Sequence, residues 1–374
     1  MRIVCLIPNL KCGGRESQLV LLSSFWQSAG NEVVILSLSD PGDVPFFPIP
    51  SGVKYLPLGL WSESWSPAAL LRLCQGLAQA VQIEEPDIVF SCLPRMNLVA
   101  CAIKNRFKAP LVVFEPTVRD YARERGYDWI RKIMYRRAEK VVFQLSSIQQ
   151  QYPRNLQDCS VVIPNLVLPV RGEPGLRRDM PQRRTLGALG RLVAIKGFDK
   201  LIRAFSDLAR DFPEWDLVIW GEGPQREELE RLCDSLGLAG RIALPGVSRN
   251  VHADLQRLDL FVLPSLFEGF PNTLCEAMAC GVAVAAFKCP GAVSEIIVDG
   301  VSGMLIADQD TLELTRVLAN LMGDEAKRSS LGRKARERTV DFGPEKLVPL
   351  WLQLFETVVR DSSNKLDFRS AANR

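Results

Sequence analysis

Two carboxylates stand eight positions apart in the stretch Pro264 to Gly281. Glu268 and Glu276 bracket the residues Gly-Phe-Pro-Asn-Thr-Leu-Cys. The apolar run Leu260 to Leu263 precedes the stretch and predicts a buried strand that is followed by a loop and a helix start. N–H groups at a helix start favour an anion such as a phosphate, and a carboxylate accepts hydrogen bonds from two neighbouring hydroxyls. These groups suit a ligand that is part phosphate and part polyol, as a nucleotide sugar is.

A purely structural interpretation of the same residues stays open at this point. Thr273 and Glu276 have the spacing of a capping box, in which the glutamate satisfies only a backbone amide of its own helix. Glu268 would then be an ordinary loop acid. The two interpretations differ in what the acids contact, a ligand or the backbone.

The E-x7-E spacing, within Glu-Gly-Phe-Pro-Asn-Thr-Leu-Cys-Glu-Ala-Met-Ala-Cys-Gly, resembles the signature of glycosyltransferase family 4. The resemblance covers nearly the whole chain and is strongest from Gly190 to Leu305. It implies a retaining transferase of the type that builds bacterial surface polysaccharides or lipid-linked oligosaccharides. The implied reaction moves a hexosyl unit from a UDP-hexose or UDP-N-acetylhexosamine to a polyprenyl-diphosphate-linked saccharide. Two alternatives are a GT-B epimerase or phosphorylase, and a non-catalytic sugar-nucleotide-binding protein of an assembly complex.

Composition sets outer limits on the fold and the compartment. A chain of 374 residues, 47% of them hydrophobic, is long enough for two domains with a core each. The net charge of +3 gives no support for a nucleic-acid partner. Ten cysteines without a C-x-x-C pair fit a reducing compartment, and a single histidine, His252, argues against His-based zinc sites and Ser-His-Asp triads. Since no apolar run approaches the ~20 residues needed to span a bilayer, we expect a cytoplasmic protein. The lipid-linked acceptor that the resemblance implies would make it peripheral on the inner face of the cytoplasmic membrane.

Strand and helix patterns alternate through both halves of the chain. This alternation predicts an α/β protein with parallel sheets covered by helices. The resemblance implies the GT-B architecture, in which two doubly wound Rossmann-like domains face a central cleft. The predicted organisation is an acceptor-binding domain over 1–166, a linker over 167–184, a nucleotide-sugar-binding domain over 185–343, a C-terminal helix over 344–360 that packs back on the first domain, and a disordered tail over 361–374.

Two basic residues follow the first predicted strand of the second domain. Arg191 and Lys196 can neutralise a diphosphate without a metal, although residues of this kind are also common surface charges. The resemblance implies catalytic roles for Arg191, Lys196 and Glu268. It implies donor binding by the following residues: Gly190, Gly221, Val247, Gly269, Phe270, Pro271, Asn272, Thr273 and Glu276. We expect no metal and no other cofactor, and the D-x-D spacing of Asp308 and Asp310 predicts a loop and a helix start instead.

The first half of the chain offers weaker signals for an acceptor site. Its Gly13-Gly14 loop lacks G-x-G-x-x-G, so the glycines either admit a ligand or only turn the chain. Arg95, Glu115 and Arg119 follow predicted strands, where ligands collect in parallel sheets. Many family members have a histidine in this half, and none is present here. The residue that assists the acceptor is therefore unassigned.

The segment 118–140 is both basic and aromatic. It carries eight basic residues, together with Tyr121, Tyr127, Trp129 and Tyr135. A helix of this composition can lie on an anionic membrane, and it can equally present a solvated face. With the lipid-linked acceptor that the resemblance implies, we expect it to contact an anionic membrane surface. The basic residues are Arg119, Arg123, Arg125, Arg131, Lys132, Arg136, Arg137 and Lys140.

Overall fold

Each of the two units of the chain is built on a parallel sheet. The computed structural model describes residues 1–62, 66–115, 128–170, 183–289, 293–307 and 310–372. The first unit combines Met1–Leu166 with the C-terminal segment from Pro344, and the second unit is Val167–Gly343. Most of the predicted linker lies outside the described residues. The predicted α/β class with two parallel-sheet domains is confirmed.

The first unit contains a sheet of strand order β3-β2-β1-β4-β5-β6-β7, in which all pairs are parallel. Its strands are β1 (Arg2–Ile7), β2 (Glu32–Ser37), β3 (Val53–Pro57), β4 (Ile88–Cys92), β5 (Leu111–Glu115), β6 (Lys140–Phe143) and β7 (Ser160–Val162). Its helices in the main part are α1 (Gly14–Ser28), α2 (Pro67–Ile83), α3 (Pro94–Ile103), α4 (Asp128–Met134), α5 (Ser146–Gln149) and α6 (Arg154–Gln157).

The strands β1, β4 and β5 are runs of buried residues, as expected for a parallel sheet that helices cover on both faces. Local sequence fixes several boundaries. The side chain of Ser66 accepts a hydrogen bond from the N–H of Ala69 and caps α2, which begins with Pro67. Gly30 follows α1 with φ of +83°, a conformation that favours glycine.

The last helix of the chain, α14 (Pro344–Ala372), belongs to the first unit. Trp351 and Phe355 on this helix pack edge-on against Trp26 of α1, with ring centroids 5.8 and 5.0 Å from that of Trp26. Trp351 also contacts Phe90 of β4, at 5.4 Å. The helix continues well past residue 360, so the sequence-based expectation of a disordered tail from residue 361 is wrong up to Ala372.

The second unit contains a parallel sheet of order β10-β9-β8-β11-β12-β13. Its strands are β8 (Arg184–Leu189), β9 (Trp215–Trp220), β10 (Ile242–Gly246), β11 (Leu260–Leu263), β12 (Ala283–Phe287) and β13 (Met304–Ile306). Its helices are α7 (Phe198–Leu208), α8 (Arg226–Ser235), α9 (Val251–Gln256), α10 (Asn272–Ala279), α11 (Val293–Ile296), α12 (Thr311–Gly323) and α13 (Glu325–Thr339). The strand order reverses between β8 and β11, and ligands of open parallel sheets bind beyond the carboxyl ends at such a point.

Candidate functional site

The loop after β8 lies against the loop after β11. The N–H of Leu266 donates to the carbonyl of Ile195 at 2.9 Å. Gly197 has φ of +63°, and a Cβ atom there would stand 2.2 Å from the carbonyl oxygen of Pro264. Only glycine allows this approach of the two backbones. The contact holds the Gly190–Gly197 loop beside the stretch that carries the two predicted acids.

This contact brings Lys196 and Glu268 together. The Nζ atom of Lys196 donates to Oε1 of Glu268 at 2.5 Å. The side chain of Lys196 is 23% exposed and that of Glu268 is 9% exposed. The structure therefore forms a charge-assisted, mostly buried pair from two residues that the sequence predicted to be catalytic. Arg191, the other predicted cation, is exposed at the start of the same loop.

Two further loops of the second unit meet the loop after β8. The N–H of Gly190 donates to Trp220, and the N–H of Gly221 donates to Gly246. Gly221 has φ of +147°, and a Cβ there would lie 1.9 Å from the carbonyl oxygen of Gly190. Val247, predicted to line the base site, follows β10 and is exposed. The predicted donor residues Gly190, Gly221 and Val247 thus lie at neighbouring carboxyl ends of β8, β9 and β10.

The start of α10 does not have the capping box that the sequence left open. Pro271 occupies the N-cap position, and no side chain caps the helix. The capping interpretation of Thr273 and Glu276 is therefore wrong. Phe270 is buried and packs edge-on against Phe342 at 5.9 Å, so its side chain anchors the loop. Gly269, Asn272 and Thr273 are partly exposed in the same stretch.

The carboxyl group of Glu276 has no hydrogen-bond or ion-pair partner among the described residues. Burial raises its pKa to about 7. A carboxylate that is removed from water without a partner is costly unless something else hydrogen-bonds to it. Glu276 is therefore poised to accept hydrogen bonds from a ligand.

The first unit places its predicted acceptor residues in different settings. Gly13 is the N-cap of α1 in extended conformation, and Gly14 is the first residue of that helix. Arg95 is exposed in the first turn of α3. Arg119 lies outside the described residues.

The sequence predicted that Glu115 lines an acceptor site, but in the structure its side chain is inaccessible to a ligand. It is fully buried at the end of β5, where its Oε2 lies 3.3 Å from Nη1 of Arg131. The hydroxyl of Tyr135 donates to the same oxygen. Burial, and next the charge of Glu115, raise the pKa of Tyr135 well above its usual range. The prediction for Glu115 is corrected: it belongs to an internal polar cluster that fixes the turn after α4 to the sheet.

Two family profiles match the chain over most of its length. The profile described as Glycosyl transferases group 1 matches residues 179–338, and the profile described as Glycosyl transferase 4-like domain matches residues 13–169. The chain belongs to the family 4 glycosyltransferases. It is an enzyme of the GT-B class.

Curated relatives include proteins that are named glycosyltransferases. The glycosyltransferase is 24% identical over 362 residues to a Campylobacter jejuni N-acetylgalactosaminyltransferase whose name specifies a PP-undecaprenol-linked saccharide; the match covers 96% of this chain and 99% of that enzyme. A Streptomyces coelicolor exopolysaccharide phosphotransferase is 38% identical over 185 residues, 49% of this chain. The match spans only 19% of that longer protein.

Solved structures share the fold. Sucrose-phosphate synthase from Thermosynechococcus elongatus superposes with a TM-score of 0.84 at 17% identity, over 96% of this chain and 99% of that one. The Anabaena protein HepE, solved in complex with UDP and glucose, gives a TM-score of 0.74 at 18% identity, over 98% and 99%.

The segment 118–140 of the glycosyltransferase needs a second correction. Arg131 and Tyr135 were predicted to face a membrane, and both are buried in the cluster around Glu115. Trp129 and Ile133 on α4 are exposed instead, four positions apart, which places them on one face of the helix. Arg136 and Arg137 are exposed nearby, and residues 118–127 lie outside the described ranges.

Sequence reasoning missed the partners of Glu115. The spacing of Arg131 and Tyr135 shows that they share a helical face, but composition cannot show that this polar face points inward.

Asp310 is placed as predicted: its side chain caps α12 by accepting from the N–H groups of Leu312 and Glu313. Along the described ranges, no helix has both the length and the apolar character required to cross a bilayer.

Proposed function

We propose that this glycosyltransferase moves a hexosyl unit from a UDP-sugar to a lipid-linked saccharide, with retention of configuration and without a metal ion. One observation carries the proposal. The loops after β8 and β11 bring a lysine onto a buried glutamate, and a second, partnerless carboxyl group lies on the helix that follows. Fixed positive charge and carboxylates beside a helix start are the groups that a sugar diphosphate requires.

The diphosphate of the donor would be held by Lys196 and Arg191. A preorganised cation in a site shielded from water stabilises the charge that develops on the leaving diphosphate, and it does so without a metal. The N–H groups around Gly269 to Thr273, at the positive end of α10, would add to this. The exposed position of Arg191 leaves its guanidinium able to approach a ligand.

The two acids would bind hydroxyl groups of the donor. Lys196 fixes the position of Glu268, whose carboxylate has capacity for the hydroxyls of the transferred sugar. Glu276 would accept two hydrogen bonds from the ribose diol. These bonds would satisfy a desolvated carboxyl group that has no partner in the described protein.

Retention is proposed to follow from attack on the same face that the leaving group departs from. The acceptor oxygen forms a bond to the anomeric carbon while the bond from that carbon to the diphosphate oxygen breaks. The proton of the acceptor hydroxyl passes to an oxygen of the leaving diphosphate. In this scheme the protein contributes position and charge, so Arg191, Lys196 and Glu268 carry the catalytic roles.

Uridine and the lipid-linked acceptor are supported by similarity. HepE was solved with UDP, and the Campylobacter relative is named for a saccharide on PP-undecaprenol. The backbone at Gly221 and Val247 would receive the base. Gly13, Gly14 and Arg95 remain the candidates for the acceptor side, and Arg119 remains a prediction. We propose peripheral attachment to the inner face of the cytoplasmic membrane, through Trp129 and Ile133 with the neighbouring arginines, and a role in polysaccharide or glycan biosynthesis.

A transfer assay tests the proposal. The full chain is incubated in EDTA with a panel of UDP-, GDP- and ADP-sugars and a short prenyl-diphosphate saccharide, and the anomeric configuration of the product is read by NMR. We expect transfer from one UDP-sugar with an α linkage from an α donor. A β product from an α donor would overturn retention, and transfer that stops in EDTA would overturn metal independence.

A further inference from the structure

One side chain, that of Arg226, joins the turn after β9 to the last residues of β10. Arg226 is the first residue of α8. Its Nη2 atom donates to the carbonyl of Gly221, which follows β9, at 3.3 Å. Its Nη1 atom donates to the carbonyl of Leu244 in β10 at 3.1 Å. The base of the donor is proposed to bind to the backbone after these two strands, so Arg226 connects the two segments that would form the base site.

The carbonyl of Leu244 lies in an irregular part of the sheet. The register of β10 against β9 shifts between Ala243 and Gly246, where three steps along β10 match two along β9. A bulge of this kind leaves one residue out of the ladder, bends its strand and is frequent beside active sites. Backbone groups outside the ladder require another partner, and Arg226 supplies one here.

The carboxylate of Glu222 fixes the plane of the Arg226 guanidinium. Its Oε2 accepts from Nε at 2.8 Å, and its Oε1 accepts from Nη2 at 2.5 Å. Two parallel bonds set the orientation of a guanidinium more strictly than one bond does. Gly246 has φ of +90°, and a Cβ atom there would stand 3.2 Å from Oε1 of Glu222 and 3.8 Å from Nη2 of Arg226. The pair therefore packs against the backbone that leads into Val247.

The position of Arg226 is not explained by the stability of its own helix. The N-terminal end of a helix is the positive end of its dipole, where acids are favoured and cations are not. Glu227 and Glu228 in the same turn follow this preference, and Arg226 does not. Its bonds to the carbonyls of Gly221 and Leu244 extend beyond the helix to two other segments. These segments give a reason for an arginine at this position.

The turn after β9 is also attached to the loop after β8. The N–H of Leu192 donates to the carbonyl of Glu222 at 2.9 Å. On the side of β10, the N–H of Gly221 donates to Gly246 at 2.8 Å, and Arg226 adds its two bonds. Loss of the Arg226 side chain would therefore weaken the attachment of the turn to β10 and leave its attachment to the loop after β8.

We propose that Arg226 positions the backbone that binds the base of the donor nucleotide. It holds the turn after β9 against the bulge of β10 and does not itself contact the donor. The inference deepens the proposed function, because it rests on a UDP-sugar donor. Groups that bind a ligand have to be held to within about 0.5 Å of the productive geometry, and backbone groups rely on their surroundings for this. Arg226 is a positioning residue, whereas Arg191 and Lys196 act on the diphosphate.

The test is calorimetric binding of UDP to the full chain in EDTA, with uridine and inorganic pyrophosphate as the two halves of the probe. We expect Arg226→Met to weaken UDP and uridine about tenfold and to change pyrophosphate by less than about twofold. Weaker UDP and pyrophosphate with unchanged uridine would show that Arg226 is a cation for the diphosphate. Unchanged binding of all three would show that it has no role in donor binding. Either result overturns the proposal.

Two further variants separate geometry from charge. Arg226→Lys keeps the charge but lacks the planar fork, so we expect uridine to bind about fivefold or more weakly. It also replaces Arg226→Met if the methionine variant does not fold. Glu230→Gln removes a carboxylate 2.9 Å from Arg226 and leaves both carbonyl bonds, so uridine binding should change by less than about twofold. Full uridine binding by Arg226→Lys, or an equal loss in Glu230→Gln, would overturn the positioning role.

Hydrogen exchange without any ligand tests the positioning step by itself. In Arg226→Met, peptides over 217–225 and 242–250 should exchange at least about fivefold faster than in the parent, and the loop 190–197 should be unchanged. If the parent binds UDP, and exchange in these two peptides is the same in parent and variant, the role of Arg226 alone is overturned. If the parent binds no UDP, and exchange is faster in the variant, the proposed donor site is overturned.

Discussion

Each unit of this glycosyltransferase contains an ion pair between a glutamate and a cation near the carboxyl end of a strand. The two pairs differ in their exposure to solvent. In the first unit, the side chains of Arg131 and Glu115 are 1% and 0% exposed. In the second unit, those of Lys196 and Glu268 are 23% and 9% exposed. A fully enclosed pair is inaccessible to a ligand and holds structural elements together. A pair with an open side can exchange part of its hydrogen bonding with a ligand.

The second unit differs in a further respect. The carboxylate of Glu115 contacts Arg131 and Tyr135, whereas Glu276 has no hydrogen-bond or ion-pair partner in the described protein, and burial raises the pKa of Glu276 to about 7. The first unit satisfies its buried acid internally. The second unit leaves one half-buried acid without a protein partner, which costs stability until a ligand binds. Structural acids and candidate ligand-binding acids therefore differ in whether the protein itself supplies their hydrogen-bond partners, and not in burial alone.

The largest effect is expected at the enclosed pair. Arg131→Met leaves the carboxylate of Glu115 buried without its cation, and we expect a loss of about 3–5 kcal/mol in the free energy of unfolding. Urea unfolding followed by tryptophan fluorescence measures it. The double variant Glu115→Gln/Arg131→Met should recover at least half of the loss, because no charge is left unpaired. A single variant as stable as the parent would contradict the structural role of the pair.

A change in the partly exposed pair of Lys196 and Glu268 should reduce activity more than stability. Lys196→Met removes a preorganised cation from the proposed diphosphate site, and we expect kcat/KM to fall by a factor of about 10²–10³, equivalent to roughly 3–4 kcal/mol in the transition state. The free energy of unfolding should fall by about 2 kcal/mol, less than for Arg131→Met, because Glu268 stays mostly buried whereas Lys196 is partly exposed. Lys196→Arg should restore part of the activity. If Lys196→Met loses stability as Arg131→Met does and keeps its activity, the contrast between the two pairs is wrong.

Glu276 should give a pH-dependent gain in stability when its charge is removed. Its folded-state pKa, about 7, lies above the usual value of about 4.3. Between these two pKa values the folded protein binds one proton more than the unfolded chain. The free energy of unfolding therefore falls as pH rises, until Glu276 is ionised above about pH 7. Glu276→Gln cannot ionise, so its free energy of unfolding relative to the parent should increase by about 2 kcal/mol between pH 5 and pH 8. Urea titrations at both pH values measure this, and a difference that stays constant would contradict an unsatisfied acid.

The smallest effect is expected at the surface of the second unit. Glu230 pairs with Arg226 one turn earlier on α8 at 2.9 Å, and its side chain is half exposed. Arg226 retains Glu222 and two backbone carbonyls as partners when Glu230 is changed. Glu230→Gln should therefore alter the free energy of unfolding by no more than about 0.5 kcal/mol and leave UDP binding unchanged. A larger change would show that exposure is a poor guide to the function of these pairs.

Much of the fold could be predicted from the sequence, because the buried strands are long apolar runs with helical periodicity between them. The failures occur where the local signal is weak. The strand β7 (Ser160–Val162) has only three half-buried residues, and its pairing with β6 decides its conformation. The helix α3 has a clearer local signal, because it begins at Pro94 and a proline suits the first position of a helix.

The part of the site that could be predicted is the part that depends on residue type and on position after a strand. The contact of Lys196 with Glu268 follows from the topology of parallel strands, which brings their carboxyl ends together. Which acids are satisfied internally could not be predicted, since it depends on side-chain direction in three dimensions. Sequence spacing made Glu276 a plausible capping residue and Glu115 a plausible ligand contact, and the structure shows neither arrangement.

Calorimetric titration of UDP into the full chain in EDTA, with the parent and Glu276→Gln compared at pH 8, tests whether Glu276 binds the donor without a metal ion. Hydrogen bonds to a charged group contribute about 1.5–3 kcal/mol, so we expect UDP to bind the parent without metal and to bind Glu276→Gln about tenfold or more weakly. Glu230→Gln serves as the matched control and should bind UDP as the parent does. Equal affinity of the parent and Glu276→Gln for UDP, or binding by the parent only after magnesium is added, would contradict the account.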